Sequence, residues 1–322
     1  MPRSRDIELP FVAKSPFANY DLVVYLGGGL FALLVLWKYI ALPFHIFDFS
    51  SVAASTPKSW AVEVVYLLVL SVCAYVLGHL VSYQSSYFIE GFIERTLGKF
   101  SRLVEITTVP PSDHSRALKR EIWANIKDNL FYRCSLPVIG WKITAPRIFP
   151  TIMHLPVMPW YAFAIFSNLL DFTDTRLPSR MVSYLKKEIP RHFPEVGKGN
   201  DRQWFRWIEY YTNYNRRVAS ANMYNYLVIS GFMRSLSYLF LIAIWLEIFH
   251  LLFRLYAGQA MISHGHGGPI GWILYFLVLY VAYVSTVTSY CKFFRRYVEE
   301  AIMGFLLEGR SIAPAAVQAN GK

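Results

Sequence analysis

Acids, bases and metal ligands are thinly spread through this chain of 322 residues. Its eight histidines lie at positions 45, 79, 114, 154, 192, 250, 264 and 266, scattered along the whole length. The cysteines Cys73, Cys134 and Cys291 are isolated and lack the CxxC spacing of zinc or redox sites. The sequence contains no Walker-type loop, HExxH or GxSxG motif. We therefore expect no catalytic residues, no metal site and no cofactor.

Glu247 and His250 are unusual because they lie inside an apolar run. They are three residues apart, so a helix places them on one face. Ionisable groups inside a membrane segment are costly and usually face other helices or water. Three interpretations remain open: a hydrogen bond between helices, the lining or gate of a pore, or a metal site.

A second polar strip lies in the last apolar run. Ser285, Thr288 and Ser289 have the i, i+3, i+4 spacing that places residues on one helical face. Small hydroxyl residues at such positions either let helices pack closely or line an aqueous path. We therefore take Glu247, His250 and this strip as the candidate pore lining.

The stretch 191–217 combines cations with large aromatic residues. On a helix its aromatic residues would form one stripe, composed of Trp204, Trp207, Tyr211 and Tyr214. Guanidinium groups beside flat rings are typical of single-stranded nucleic-acid binding. Contact with anionic lipid or packing between subunits would use the same residue types. The candidate ligand surface consists of Arg202, Trp204, Arg206, Trp207, Arg216 and Arg217.

The elements that must position these groups are membrane helices. Hydrophobic residues make up 55% of the chain, charged residues only 16%, and the mean hydropathy is +0.32. About 20 apolar residues are needed to cross a bilayer as a helix. Four runs are long enough, namely Leu22–Phe44, Ala61–Tyr83, Leu236–Phe253 and Ile270–Cys291. The sequence predicts a mostly α-helical polytopic membrane protein with four transmembrane helices and a basic cytoplasmic insert domain.

A fifth apolar stretch, Phe149–Phe172, contains Pro150, Pro156 and Pro159. Proline lacks the backbone donor that a helix in hydrocarbon needs, so we interpret this stretch as buried core or an interfacial segment. Ten Lys or Arg residues precede it after position 84 and ten follow it before position 225. Both flanks therefore favour the cytoplasm under the positive-inside rule.

The resulting organisation has four parts. Residues 1–83 form the N-terminus and helices 1 and 2, residues 84–225 a basic cytoplasmic domain, residues 226–291 helices 3 and 4, and residues 292–322 a cytoplasmic helical tail. Within the insert, Ser112–Leu130 reads as an amphipathic helix. The third span should begin below the bilayer, and the tail should carry i,i+4 pairs from Arg295 to Glu299 and from Arg296 to Glu300.

Net charge points to the partners. The chain carries 32 Lys and Arg against 21 Asp and Glu, a formal charge of +11, which favours lipid head groups, nucleic acid or both. Because four spans enclose little water, a pore would lie on the symmetry axis of a homo-oligomer, for which we expect a tetramer.

The segment GHLVSYQSSYFIE at 78–90, the basic insert and the last helix ending in KFFRRYVEEAI resemble bacterial membrane effectors of anti-phage defence. In particular, the organisation is similar to the channel subunit of Hailong systems. The resemblance implies a homo-oligomeric pore gated by a nucleic-acid ligand on the cytoplasmic domain, whose opening kills or arrests the infected cell. It also implies the bacterial inner membrane, and the positive-inside rule predicts that both termini lie in the cytoplasm.

The leading hypothesis is thus an oligomeric ion channel gated by an anionic ligand, such as a single-stranded DNA oligomer or another anionic nucleotide. One alternative is a non-conducting membrane scaffold that binds anionic lipid or a protein partner. Another is an interfacial lipid-processing enzyme with a site near His79 or His192.

Overall fold

The computed structural model describes residues 20–41, 60–96, 152–159, 161, 179–193, 201–215, 217–256 and 268–311. These residues are almost entirely helical, and none of them is in a strand. The predicted helix Ser112–Leu130 and most of the basic insert lie outside them. The statements below concern the described ranges.

Seven α-helices organise these ranges. We number them α1 (Gly28–Leu36), α2 (Trp60–Ser85), α3 (Gly91–Thr96), α4 (Ser179–His192), α5 (Asp201–Asn215), α6 (Arg217–Tyr256) and α7 (Pro269–Ser311). The π-helical turns Asp21–Gly27 and Trp37–Ala41 flank α1, and Ser86–Glu90 joins α2 to α3.

Four helical segments are long and apolar enough to cross a membrane, as the sequence predicts. They are Asp21–Tyr39, Trp60–Ile93, Val218–Tyr256 and Pro269–Leu307, which we call spans 1 to 4. Spans 3 and 4 extend well beyond their apolar parts, because α6 has 40 residues and α7 has 43. Both extensions agree with the prediction that these helices continue past the bilayer.

Helix α6 lies at the centre of the bundle. Its side chains Leu241 and Ile244 are fully buried, and Leu239 and Ala243 nearly so. Helix α7 packs along α6 in the antiparallel direction, with Tyr275 near Glu247 at one end and Glu300 near Asn222 at the other. The two long helices therefore pack against each other over most of their length.

Spans 1 and 2 meet through a close approach of backbones. A Cβ atom on Gly29 would lie 1.6 Å from the Ala74 carbonyl oxygen, and one on Gly78 would lie 1.7 Å from the Tyr25 carbonyl oxygen. Only glycine fits at both positions. Small residues at helix contacts in membranes serve this purpose.

Helix α2 crosses the bundle steeply. At Ala74 it contacts Gly29, beside which Gly28 faces Ser235 of α6, yet fourteen residues later Phe88 stacks on Tyr238. A helix aligned with α6 would have moved about 21 Å along it over those fourteen residues. Because the two contacts lie only three residues apart on α6, span 2 runs across α6 rather than along it. Its first half, residues 60–73, is exposed on all sides.

Candidate functional site

A charged cluster joins spans 1, 3 and 4. The Lys38 ammonium lies 3.5 Å from the Glu247 carboxylate and 3.4 Å from the centre of the Tyr275 ring. The Tyr39 hydroxyl donates a hydrogen bond to Glu247 Oε1 at 2.8 Å and lies 3.1 Å from the Tyr275 hydroxyl. Glu247 is 4% exposed, so Lys38 and Tyr39 rather than solvent interact with its carboxylate. We call these four residues the Glu247 cluster.

The Glu247 cluster shows which residues contact the Glu247 carboxylate. Of the three interpretations left open by the sequence, the structure shows the hydrogen bond between helices, made to Tyr39. His250, one turn further along α6, is exposed. Sequence reasoning did not identify Lys38 as the counter-ion, because Lys38 and Glu247 are far apart in the chain. The signal that could have found it was an acid and a base in two different apolar runs.

A second ion pair lies toward the other end of α6. The Arg234 guanidinium contacts the Glu90 carboxylate, which also accepts a hydrogen bond from the Ser86 hydroxyl at 2.8 Å. The Arg234 side chain is only 15% exposed. Because the guanidinium is held by span 2, Arg234 fixes α2 to α6 at their crossing instead of anchoring the helix in head groups.

Residues 152–161 are packed against spans 3 and 4. The Trp245 indole donates a hydrogen bond to the Met153 carbonyl oxygen at 2.7 Å, and His154 stacks on Phe92 with ring centres 3.8 Å apart. The Tyr161 hydroxyl lies 3.0 Å from that of Tyr283. In the described part of Phe149–Phe172, His154, Val157 and Tyr161 are buried, whereas Ile152 and Leu155 are exposed. The segment contains a short 3-10 turn, Leu155–Val157, and contacts the bundle with one face only.

Burial has a chemical consequence at Tyr161. The side chain is fully enclosed, which raises the pKa of the Tyr161 phenol well above its ordinary value of 10. The phenol therefore keeps its proton throughout the physiological range. It remains able to donate to Tyr283 or to accept from it.

The polar strip of α7 lies partly at the surface of the bundle. Ser285 is exposed, and Thr288 and Ser289 are half-buried. Thr286, which lies between them, is turned inward and bonds to the carbonyl oxygens of Ala282 and Tyr283 at 2.9 Å. The exposed part of the strip is continuous with the exposed apolar residues Leu274, Leu277 and Val281.

The start of α6 and the end of α7 pack against α4 and α5. The Thr212 hydroxyl donates to the Ala301 carbonyl oxygen at 2.8 Å, and the Tyr297 hydroxyl donates to the Glu209 carboxylate. Phe205 and Ile208 are buried on the same face of α5. This face of α5 packs against α7.

The exposed face of α5 differs from the predicted one. Arg206 and Trp207 are exposed as the ligand hypothesis requires, whereas Tyr211 packs against Phe193 and Phe305. The exposed aromatic residues are Trp207, Tyr210 and Tyr214, at 43%, 68% and 80%. Sequence spacing did not identify Tyr210, because only the packing of α5 decides which of the neighbours Tyr210 and Tyr211 is exposed.

The side chains of the other four predicted ligand residues lie outside the described part of the structure. Arg202 and Trp204 belong to α5 and Arg217 is the first residue of α6, but their side chains lie outside the described part of the structure, and so does Arg216 altogether. Arg206 and Trp207 are thus the two predicted ligand residues whose side chains are described.

The two histidines considered for an interfacial enzyme, His79 and His192, pack against aromatic side chains. His79 stacks on Tyr25 with ring centres 3.6 Å apart, and His192 lies 3.8 Å from Glu188 and against Phe305. Across the described ranges, no group of three His, Cys, Asp or Glu side chains is arranged to hold a metal ion.

Comparisons with models of protein families, with curated proteins and with solved structures found no match to this chain.

Proposed function

We propose that this protein is an oligomeric membrane channel whose opening is controlled by an anionic ligand on its cytoplasmic helices. The observation that carries the proposal is the hydroxyl strip on α7, in which Ser285 is exposed and Thr288 and Ser289 are half-buried. Lipid tails cannot hydrogen-bond to hydroxyl groups, so such a face is more favourable against water or another protein chain. Copies arranged around a symmetry axis with α7 inside would provide both.

The interior of one copy favours a pore between copies. Along the middle of α6 the bundle is filled by Leu241, Ala243 and Ile244, and from α7 by Tyr283 and Val287. Within the described residues, the centre of the single chain is therefore packed rather than open. An aqueous path then has to run along an outer face, and α7 carries the polar one.

A ligand on α5 would be mechanically connected to that face. Thr212 and Glu209 of α5 bond to Ala301 and Tyr297 of α7, below the strip. Because α7 is one continuous helix from Pro269 to Ser311, a displacement of its lower end is transmitted to Ser285. Arg206 and Trp207, exposed on the opposite side of α5, supply a cation and a ring to a ligand.

The nature of the ligand and the setting follow from the resemblance to Hailong channel subunits. It favours a single-stranded DNA oligomer as the ligand and anti-phage defence as the role. The corresponding location is the bacterial inner membrane, with both termini in the cytoplasm. The net charge of +11 suits a polyanion.

The decisive experiment is a flux assay on the purified oligomer in liposomes, combined with cysteine accessibility. In a background with Cys73→Ser, Cys134→Ser and Cys291→Ala, Ser285→Cys should become blocked by a charged, water-soluble thiol reagent. The matched control is Leu67→Cys on α2, whose side chain is 63% exposed and lies away from α7. Its flux should not change.

Two results would contradict the proposal. If the reconstituted protein passes no ions with or without added oligonucleotide, the channel is rejected and the non-conducting scaffold becomes the better interpretation. If Leu67→Cys and Ser285→Cys are blocked equally, α7 does not line the path.

A further inference from the structure

The exposed face of α7 changes from polar to basic below the hydroxyl strip. Lys292 and Arg296 follow Ser285 and Ser289 at spacings of 4, 3 and 4 residues, which keeps all four on one side of a helix. Both cations are exposed. Lys292 is about 4.5 Å further along the axis than Ser289, and Arg296 about 10 Å further. The two cations therefore lie at the inner end of the strip.

The acids nearest to these cations are already occupied. Glu299 accepts a hydrogen bond from Arg295 Nε at 2.7 Å, as the sequence predicts. Glu300 accepts one from the Asn222 amide at 3.1 Å, and not from Arg296 as the i,i+4 spacing had suggested. Across the described residues, neither Lys292 nor Arg296 has an acidic partner within ion-pair distance. Their charges are thus available to a solute moving along the helix.

We propose that Lys292 and Arg296 form an anion-attracting ring at the inner mouth of the pore and make the channel select anions over cations. The inference rests on the proposed channel and specifies its permeant ion. Rings of Lys or Arg select anions in pores because like charge excludes cations. When copies surround an axis, each contributes both side chains, so the positive potential at the mouth is the sum over the ring.

The test is the reversal potential of the reconstituted wild-type oligomer under a KCl gradient. We expect its sign to be that set by chloride. Lys292→Glu combined with Arg296→Glu should lower the chloride-to-potassium permeability ratio by about tenfold or more, because the ring's charge is reversed. The neutral double variant, Lys292→Gln with Arg296→Gln, should have a permeability ratio between those of the wild type and the charge-reversed variant. Equal elution volumes of all variants on size exclusion show that assembly is intact.

The matched control is Lys187→Glu on α4, an exposed lysine away from this face of α7. It makes the same kind of charge change and should leave the reversal potential unaltered. If the effect came from the protein's net charge in general, the reversal potential of Lys187→Glu would change as well. That result would contradict the proposed ring.

The outcomes separate this inference from the function on which it rests. An absence of any conductance overturns both. A conductance that is cation-selective in the wild type, or that ignores both substitutions, overturns the ring and leaves the channel. If the substitutions weaken binding to vesicles of acidic phospholipid while the reversal potential stays the same, the two cations contact lipid head groups and the ring is again rejected.

Discussion

Lys38 and Glu247 belong to different spans, yet their charged groups lie 3.5 Å apart with the carboxylate 4% exposed. The pair is completed by Tyr39 and Tyr275, so three helices share one ionic contact. A lysine in hydrocarbon without a counter-ion would be costly, as would the acid. Each residue therefore explains how the other is tolerated.

This pairing makes the two substitutions strongly non-additive. Glu247→Leu leaves Lys38 without its carboxylate and should destabilise the protein by about 3–5 kcal/mol, as breaking buried pairs does. Adding Lys38→Met removes the stranded charge and should restore most of that loss. Thermal unfolding in detergent measures both, with Glu63→Leu, on the exposed part of α2, as the control. Additive effects would show that the two groups do not interact.

Neighbouring glycines in span 1 should respond very differently to alanine. A Cβ on Gly29 would collide with the Ala74 backbone, whereas one on Gly28 would lie 3.7 Å from Ser235 Cβ, an ordinary contact. Gly29→Ala should therefore force α1 and α2 apart and lower the unfolding temperature, while Gly28→Ala should be tolerated. Thermal melts of the two purified variants give the comparison. Equal stability of both would mean that the helices do not approach through Gly29.

Sequence pattern predicted the four spans because apolar length alone decides them. Span 1 contains three consecutive glycines, and its closest approach to span 2 is at Gly29 rather than at Gly28. The difference arises because spacing along one helix does not reveal which side meets a partner. That information belongs to the second helix, here to Ala74 and Gly78.

For the candidate site, too, the sequence identified single residues but not the residues that they contact. Glu247 was recognised as exceptional, but its partner Lys38 lies 209 residues away in sequence, and no local pattern connects them. Likewise, an aromatic stripe was expected on α5, yet the packing of Phe305 and Phe193 draws Tyr211 inward and leaves Tyr210 outside. Long-range packing, which sequence spacing does not encode, decided both cases.

Alkaline pH should destabilise the protein partly through Tyr161. Its pKa is raised by burial in the folded state above the ordinary value of 10 that it has when unfolded. Its contribution to stability is therefore fully present below pH 10 and is lost as the pH rises from 10 toward the folded-state pKa. Tyr161→Phe cannot ionise, so its unfolding temperature should fall less steeply than that of the wild type above pH 10. Melts at pH 8 to 11 would show parallel curves if Tyr161 were not buried.

Ligand binding should depend on the exposed face of α5. Base stacking is worth about 1–3 kcal/mol per base, so Trp207→Ala and Tyr210→Ala should each weaken binding of a short single-stranded DNA oligomer about 5- to 150-fold. Asn213→Ala, also exposed on α5, is the matched control and should change the affinity little.

Salt separates stacking from charge at this face. Arg206→Gln removes a cation, so it should flatten the dependence of affinity on salt concentration, whereas Trp207→Ala should lower affinity equally at all salt concentrations. Fluorescence anisotropy of a labelled oligomer, read at several KCl concentrations, distinguishes the two effects. If Trp207→Ala and Asn213→Ala weaken binding to the same extent, the rings do not stack on bases. The exposed face of α5 would then not be the ligand surface.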